Sequence, residues 1–256
     1  MNDLNAIYVI VMRELKKFVR EKSRLVSSIA RPLIWLFLVG AGMSRLVSPR
    51  AGMPYTRFIF PGILGMTILF SSIFSSISII WDKEFGFLKE ILVAPVRRSS
   101  IVMGKALSGT AVSTIQVFIV LMVFPVIGVR LSFFQIISTL VVSLLVAFSI
   151  SSFGIVIATF YENYESFSVI MNFIIMPMFF LSGAMYPLKL LPSALRWASR
   201  FNPLTYGVDA LKNTMFQAQA AGPLAPDFSF QADMLVIVLS SVVFVLLASF
   251  FFERRQ

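Results

Sequence analysis

The sequence predicts an all-α integral membrane protein with six transmembrane helices. Of its 256 residues, 58% are hydrophobic and only 13% are charged, whereas soluble domains carry about 45–50% apolar and about 25% charged residues. The apolar residues gather into runs of roughly 20, which is the length that crosses a hydrocarbon core of about 30 Å as a helix. Because lipid offers the backbone no hydrogen-bond partners, such runs form helices rather than open sheets. The alternating pattern of a membrane barrel is absent.

The N-terminal segment, residues 4–22, is too charged to span a membrane. Its apolar residues recur at steps of three and four, and its basic residues fall largely on the other face. This pattern predicts an amphipathic helix in the membrane interface; a soluble helix packed on a partner is the alternative. The apolar positions are Leu4, Tyr8, Val11, Leu15, Phe18 and Val19, and the basic ones are Arg13, Lys16, Lys17 and Arg20.

Six apolar runs follow, within a single transmembrane domain. A polar loop around 45–54 separates the first two spans, and Ser99-Ser100 is predicted to cap the third. The spans are expected near 25–44, 58–81, 101–127, 133–160, 167–186 and 234–252. The predicted organisation is an amphipathic helix at 1–24, spans one and two at 25–81, a cytoplasmic helix at 82–100, spans three to five at 101–186, an external segment with one or two short helices at 187–231, and span six with a cytoplasmic tail at 232–256.

The distribution of basic residues predicts the orientation. Six spans place both termini on one side, and the segments on that side hold fourteen Lys and Arg residues against eight on the other. The positive-inside rule therefore favours cytoplasmic termini in a cytoplasmic membrane. The net charge of +10 is interpreted as attraction to anionic lipid headgroups. Nucleic acid is not expected as a partner, because no separate basic stripe with interleaved aromatic residues is present.

The chain contains no cysteine and no histidine, which excludes disulfides, Cys/His zinc sites and histidine general bases. No Asp, Glu, Lys or Arg stands between about Leu33 and Ser44 or in the interiors of spans two to six, although transporters driven by ion gradients use buried ionisable groups. A glycine-rich phosphate loop with its lysine is also missing. We therefore expect no catalytic residue, metal or cofactor in this chain, and energy supplied by a separate subunit.

Polar residues inside the spans are mostly serines, with five in span two, together with Gln116 and Asn172. Small residues let helices approach closely and their hydroxyls bond across helices. They either hold the bundle together or line a substrate path.

The segment between spans two and three is more regularly patterned than a linker. Phe85, Leu88 and Leu92 recur at helical spacing beside charged residues, and Pro95 is expected to end the helix. The pattern predicts a short amphipathic helix over 82–96. It is either an interfacial anchor or a docking element for a cytoplasmic partner.

The stretch 84–95, followed by Arg97 and Gly104-Lys105, resembles the cytoplasmic motif of ABC-2-type permeases. These are the membrane subunits of drug, polysaccharide and lipid exporters, including the daunorubicin-resistance type. A second stretch, 180–187, with Pro192 and 202–206, resembles the signature at the outer end of the family's fifth helix. Phe87 departs from the pattern, since many members carry Thr there.

The resemblance implies a permease homodimer resting on two copies of a cytoplasmic ATPase, which would bind ATP and Mg²⁺. The segment after span two would be the coupling helix, and the path would follow spans one, two and five at the interface between permeases. The implied docking residues are Glu84, Phe85, Gly86, Leu88, Glu90, Leu92, Pro95 and Arg97.

The candidate path residues are Trp35, Ser72, Ser76, Asn172 and Met176, and the candidate external gate comprises Tyr186, Pro187, Asn202, Pro203 and Tyr206. The expected cargo is a hydrophobic or amphipathic drug or lipid-like molecule, with a lipid-linked polysaccharide as the alternative. An intramembrane enzyme and a scaffold or channel outside the ABC class are the remaining hypotheses.

Overall fold

The computed structural model describes residues 3–51, 55–88, 93, 96–216 and 225–255, with the side chains of 23–25, 45–51 and Arg255 left out. Helices joined by turns make up this part of the chain. In chain order they are α1 (Asp3–Arg20), α2 (Lys22–Ala51), α3 (Tyr55–Ser75), α4 (Ile77–Glu84), α5 (Arg98–Leu121), α6 (Phe133–Ala158), α7 (Tyr164–Phe180), a 3₁₀ turn (Leu188–Leu190), α8 (Ser193–Ser199), α9 (Pro203–Phe216) and α10 (Phe230–Arg255).

Several of these helices are long and apolar enough to cross a membrane, so the chain is a multi-pass membrane protein. Within the described residues, five segments meet this condition: Val26–Ser44, Tyr55–Glu84, Arg98–Leu121, Phe133–Ala158 and Phe230–Arg254. The predicted fifth span corresponds to α7, a shorter apolar helix of 17 residues. The predicted amphipathic helix is present as α1.

The centre of the bundle is α3, which packs against α2, α5, α6, α7 and α9. Most residues in the apolar part of the segment that it forms with α4 are buried, whereas most of those in the apolar part of α2 are not. The apolar side chains of α2 that face outward therefore meet lipid or another protein. Phe60, Ile63, Leu64 and Ile68 of α3 are fully buried.

The bundle has two ends. One, which we call the terminal face, holds α1, the end of α4, the beginning of α5 and the end of α10; Arg98 there donates a hydrogen bond to the carbonyl of Glu253. The other, the opposite face, holds Tyr55, which donates to the carbonyl of Met185, and Gln135, which donates to the carbonyl of Met215. Both described ends of the chain therefore lie at the same end of the bundle.

Three predicted boundaries need correction. The helix of span three ends at Leu121 rather than near 127, because turns follow and Pro125 has no N–H with which to continue a helix. The helix of span five ends at Phe180, and Gly183 adopts a positive φ of 73° that breaks helical geometry. In the predicted polar loop 45–54, the backbone continues as helix to Ala51.

The predicted cap of span three is also wrong. The helix begins at Arg98 with Arg97 in the cap position, so Ser99 and Ser100 lie in its first turn. Of the predicted helix over 82–96, the first residues, Asp82 to Glu84, belong to α4, and residues 89–92, 94 and 95 lie outside the described residues. Gly86 then has a φ of 78°, a left-handed conformation that glycine adopts without steric cost.

Candidate functional site

At the terminal face, α1 packs directly onto α5. Its buried side comprises Ala6, Ile10, Glu14 and Phe18, spaced four residues apart. A Cβ atom at Gly104 of α5 would lie 3.1 Å from Cβ of Ile10, so the absence of a side chain at Gly104 allows this close approach. Of the predicted apolar stripe of α1, Phe18 is buried on this side, whereas Leu4, Tyr8 and Val19 are exposed.

A group of charges, buried except for the exposed Arg13, joins α1 to α4 and α5. The ammonium of Lys105 donates hydrogen bonds to the carboxylates of Glu14, at 2.8 Å, and Asp82, at 2.6 Å, and to Oγ of Ser78, at 3.0 Å. The guanidinium of Arg13 donates to the same two carboxylates, at 2.9 and 2.8 Å. We call these five residues the terminal network. Its two cations and two anions balance, which is the condition for tolerating charge inside a protein.

The surroundings stabilise the charged forms on α1. Burial acts to raise the pKa of Glu14, but the charge and hydrogen bond of Lys105 and the contact with Arg13 outweigh it, and the pKa lies below its ordinary value. Burial likewise opposes the charge on Arg13, yet the hydrogen bonds to Glu14 and Asp82 raise its pKa. Both groups therefore stay ionised near neutral pH.

Lys105, near the inner end of the predicted third span, has only 5% of its surface exposed. It is tolerated there because α1 and α4 supply two carboxylates, and neither partner is adjacent to it in sequence.

The predicted docking residues lie around the turn that follows α4. Glu84 and Phe85 are exposed, and 71% of the Phe85 surface is accessible. Leu88, by contrast, is buried in the bundle. The exposed Arg97 forms a pair with Asp3 at the beginning of α1, at 3.6 Å. Gly86 forms the turn between Phe85 and Leu88, whereas Glu90, Leu92 and Pro95 lie outside the described residues.

Lys83 anchors the base of this turn. Its ammonium donates to the carbonyls of Ala158, Thr159 and Tyr161 at 3.2–3.3 Å. A cation is favourable there because the last carbonyls of a helix carry a partial negative charge. The contact connects the turn to the end of α6.

A cavity of about 250 Å³ lies between α2, α3, α5 and the beginning of α7, and reaches α4 at the terminal face. Its walls are mainly apolar and aromatic, whereas Arg31 is its charged lining residue. Trp81 and Tyr164 lie at its terminal-face end, with ring centroids 6.5 Å apart. The lining comprises Ser27, Ser28, Arg31, Pro32, Met66, Thr67, Phe70, Ser71, Phe74, Ile77, Trp81, Val112, Gln116 and Tyr164.

The predicted path residues do not lie together. Ser72 is fully buried and donates to Oγ of Ser113, and Ser76 is buried against α6, where a Cβ on Gly154 would lie 2.5 Å from its Oγ. Trp35 contacts Phe179 edge-on, with centroids 6.3 Å apart. Two further candidates on α7, Asn172 and Met176, are exposed on the outer surface. None of these five residues lines the cavity, although Ser71, next to Ser72, does.

The predicted gate residues lie together at the opposite face, where α7 gives way to α8 and α9. The amide nitrogen of Asn202 donates to the carbonyl of Met178, and its oxygen accepts from the backbone N–H of Leu204. The hydroxyl of Tyr186 donates to the carbonyl of Phe180, and that of Tyr206 to the carbonyl of Arg200. The buried Pro187 and half-buried Pro203 flank them.

A second charged group, the opposite cluster, comprises Asp209, Lys212, Asn213, Asp227 and Asp233. The carboxylate of Asp209 accepts hydrogen bonds from the backbone N–H groups of Asp227 and Phe228, so it holds the chain that enters α10. Lys212 is buried and its ammonium donates to the carbonyl of Gly183 at 2.8 Å. Burial raises the pKa of Asp209 and lowers that of Lys212.

Within the described part of the chain, no group of histidine, cysteine or carboxylate side chains is arranged to hold a metal ion. Comparison with known families then decides what kind of protein this is: residues 5–216 match the family model described as ABC-2 type transporter. The chain belongs to this family. The match extends from α1 to the end of α9, so both faces of the permease lie within it.

Individual ABC-2 relatives agree. A putative transport permease, ycf38, of Cyanophora paradoxa is 33% identical over 213 residues, covering 82% of this chain and 73% of the relative. Nodulation protein J of Rhizobium leguminosarum bv. trifolii is 26% identical over 208 residues, or 75% and 73% of the two chains. The inner membrane transport permease YadH of Escherichia coli K12 is 25% identical over 209 residues, or 81% of each.

Sequence reasoning missed three features of this ABC-2 permease: the terminal network, the lining of the cavity and the opposite cluster. A weak signal existed for the first, because Gly104-Lys105 was part of the motif that carried the resemblance. Glu14 offered another signal, since it is an acidic residue among the basic ones of an amphipathic helix. Nothing in the spacing, however, paired Lys105 with Glu14, which is 91 residues away.

Proposed function

We propose that this ABC-2 permease is the membrane subunit of an ATP-driven exporter. In this arrangement six segments cross the cytoplasmic membrane, both termini are cytoplasmic, and two identical permeases assemble with two copies of a cytoplasmic ATPase. The observation that carries the proposal is an exposed apolar surface on the terminal face. It consists of Phe85 and Phe87 in the turn, together with Leu4, Tyr8 and Val19 on α1.

The terminal network is suited to transmit force from that surface. A partner that moves α1 or the turn also moves α4 and α5, because Lys105, Glu14 and Asp82 join the three helices through short buried contacts. Such a joint favours rigid-body displacement of the bundle over bending of single side chains. ATP and Mg²⁺ would bind to the partner, as the resemblance implies, and not to this chain.

The proposed cargo is a hydrophobic or amphipathic molecule, either a drug or a lipid-like compound. The mainly apolar lining of the cavity supports this class. A lipid-linked polysaccharide is the second candidate, favoured by Trp81, Tyr164 and Phe70, whose rings could stack on sugars. The predicted gate around Tyr186 and Asn202 would control release at the opposite face.

Docking is tested by disrupting the exposed turn. We expect Phe85→Asp and Gly86→Arg to insert into membranes normally but to lose the ATPase on co-purification, together with vanadate-sensitive ATP hydrolysis by the complex. Phe201→Asp is the matched control, since Phe201 is 70% exposed but lies at the opposite face. Normal export by the Phe85 and Gly86 variants would refute the docking role.

Orientation is tested with single cysteines, which the cysteine-free sequence permits. Ser193→Cys should react with an impermeant maleimide on intact cells, and Ser99→Cys only after the cells are opened. The reverse labelling would overturn the proposed topology.

A further inference from the structure

From the lining of the cavity we infer that it is a binding site for an amphipathic anion, with Arg31 receiving a phosphate or carboxylate headgroup. The inference rests on the proposed function, because it names the chemical class of the exported cargo. It also excludes cationic drugs, which the general class of amphipathic molecules would include.

The shape of the site fits an extended molecule with an apolar part. Trp81 and Met66 both line it and are 15 residues apart along α3 and α4, which corresponds to roughly 22 Å of helix. Phe70 and Phe74 stack along this wall with ring centroids 6.0 Å apart. A narrow apolar slot of this length suits an alkyl or prenyl chain better than a compact hydrophilic solute.

The charge of the site is unbalanced. Arg31 is exposed, and its guanidinium lies 5.1 Å from the centre of the Phe70 ring. Within the described part of the chain, no carboxylate lies within ion-pair distance of it, and the cavity lining contains no acidic residue. This differs from the terminal network, in which each cation faces two carboxylates. A guanidinium in this setting favours an anionic ligand and disfavours a cation.

Two buried polar side chains in the same cavity also lack partners. Ser71 is 7% exposed, and its hydroxyl makes no hydrogen bond with the described residues. Gln116 is 3% exposed and its amide has no hydrogen-bond partner within the same ranges. Buried polar groups are normally satisfied, so these two are available to a polar group of a bound molecule.

A second cation lies beside the terminal-face end of the cavity. The ammonium of Lys17 on α1 is 4.4 Å from the centre of the Trp81 ring, and Trp81 lines the terminal-face end of the cavity. Positive charge there would attract an anionic amphiphile from the adjacent leaflet. Lys17 therefore lies beside the Trp81 end of the cavity, whereas Arg31 is part of its lining.

The test compares two photoreactive amphiphiles with the same alkyl chain, one ending in phosphate and the other in trimethylammonium. The permease is held in nanodiscs of zwitterionic lipid without nucleotide, and labelled peptides are mapped by mass spectrometry. We expect the phosphate probe to label peptides containing Phe70 and Gln116 at least about tenfold more than the ammonium probe, because a charge-assisted contact is gained. Equal labelling by the two probes would overturn the inference.

Variants identify the group that makes the distinction. Arg31→Gln should lower phosphate labelling about tenfold, whereas Arg31→Lys should retain most of it because the charge remains. Ser71→Val should lower it about twofold to fivefold. Arg20→Gln removes an equal charge from the same face of the bundle, outside the cavity, and should change labelling by less than about twofold. If Arg20→Gln were as damaging as Arg31→Gln, general surface attraction would replace the proposed site.

A second measurement separates cargo from a resident membrane lipid. In the complex with its ATPase, trapping with ATP and vanadate should displace a transported anion from the cavity and lower the labelling at least about fivefold. Labelling that needs Arg31 but ignores trapping would identify a structural lipid and overturn the cargo assignment. If no ATPase binds the permease while the first test succeeds, the proposed function fails but the anion site stands.

Discussion

The two faces of the permease each bury a lysine, but they hold it differently. At the terminal face, Lys105 is bonded to two carboxylates and a serine hydroxyl. At the opposite face, Lys212 donates to a single backbone carbonyl and lies 5.3 Å from the centre of the Phe58 ring. Among the described residues, no carboxylate lies within 4.0 Å of its ammonium, whereas carboxylate oxygens of Asp227 and Asp233 remain buried without partners.

The two contacts therefore differ in rigidity: the network around Lys105 is firmly held, whereas the contact of Lys212 is weaker. Balanced charges in short contact resist rearrangement, because breaking one pair leaves another charge buried and unpaired. A buried cation with one neutral acceptor loses less when it moves. In the proposed exporter, the terminal face would transmit movement from the partner, and the opposite face would change its contacts during release.

The largest expected effect is a loss of stability when Lys105, rather than Lys212, is replaced by methionine. Lys105→Met strands two buried carboxylates and should lower the free energy of unfolding by about 3–5 kcal/mol. Lys212→Met loses one hydrogen bond but relieves a buried ammonium, so its cost should be about 1 kcal/mol or less. Unfolding by denaturing detergent in mixed micelles measures both. Equal losses would remove the distinction between the faces.

Close glycine contacts give the next test. A Cβ at Gly62 would lie 2.7 Å from Cα of Ala184, in backbone that cannot rotate away, whereas one at Gly104 would meet only the side chain of Ile10. Gly62→Ala should therefore cost about 2–3 kcal/mol and Gly104→Ala about 1 kcal/mol. Gly42→Ala is the control, because its Cβ would meet nothing within 4 Å. A larger loss for Gly104→Ala would contradict this order.

The two faces should also respond oppositely to acid. The lowered pKa of Glu14 means that its contribution to stability is present above its unfolded pKa and is lost as the pH falls through the folded value. The raised pKa of Asp209 means that its contribution is present below its unfolded pKa and is lost as the pH rises through the folded value. Acidification should therefore loosen α1 and stabilise α9, which carries the buried Asp209.

Hydrogen exchange between about pH 4 and pH 7, corrected for the intrinsic rate, measures both segments. Glu14→Gln should remove the response of α1, and Asp209→Asn that of α9. Parallel responses of the two segments would show that the charges of each face do not control its local stability.

The smallest effect is expected at Arg97. Its pair with Asp3 is 3.6 Å long and exposed to solvent, and such pairs contribute about 0–1 kcal/mol. Arg97→Gln should thus leave unfolding nearly unchanged, while the proposed docking role predicts weaker ATPase co-purification. Asp3→Asn, which breaks the same pair, controls for loss of the pair itself. A large loss of stability in Arg97→Gln would place this residue with the structural charges of the terminal network.

Much of the fold could be predicted from local pattern. The helix of span four begins at Phe133, as its apolar run indicates, because Ser132 and Gln135 form a capping box within four residues. The start of span three was missed because Ser99 and Ser100 resemble cap residues yet lie inside the first turn. The end of α4 was missed because Asp82 looks like a surface residue, although Lys105 binds it in the interior.

The sequence by itself determined the membrane location, the helical class and the family, because apolar length and local motifs are properties of consecutive residues. Only the tertiary structure decided which charges are paired, which serines face a cavity and which glycines pack closely against another segment. The physical reason is distance along the chain: Lys105 is 91 residues from Glu14, and the partners of a buried charge are chosen by packing. The same holds for Arg31, whose unpaired charge becomes meaningful only inside the cavity that α3, α5 and α7 complete around it.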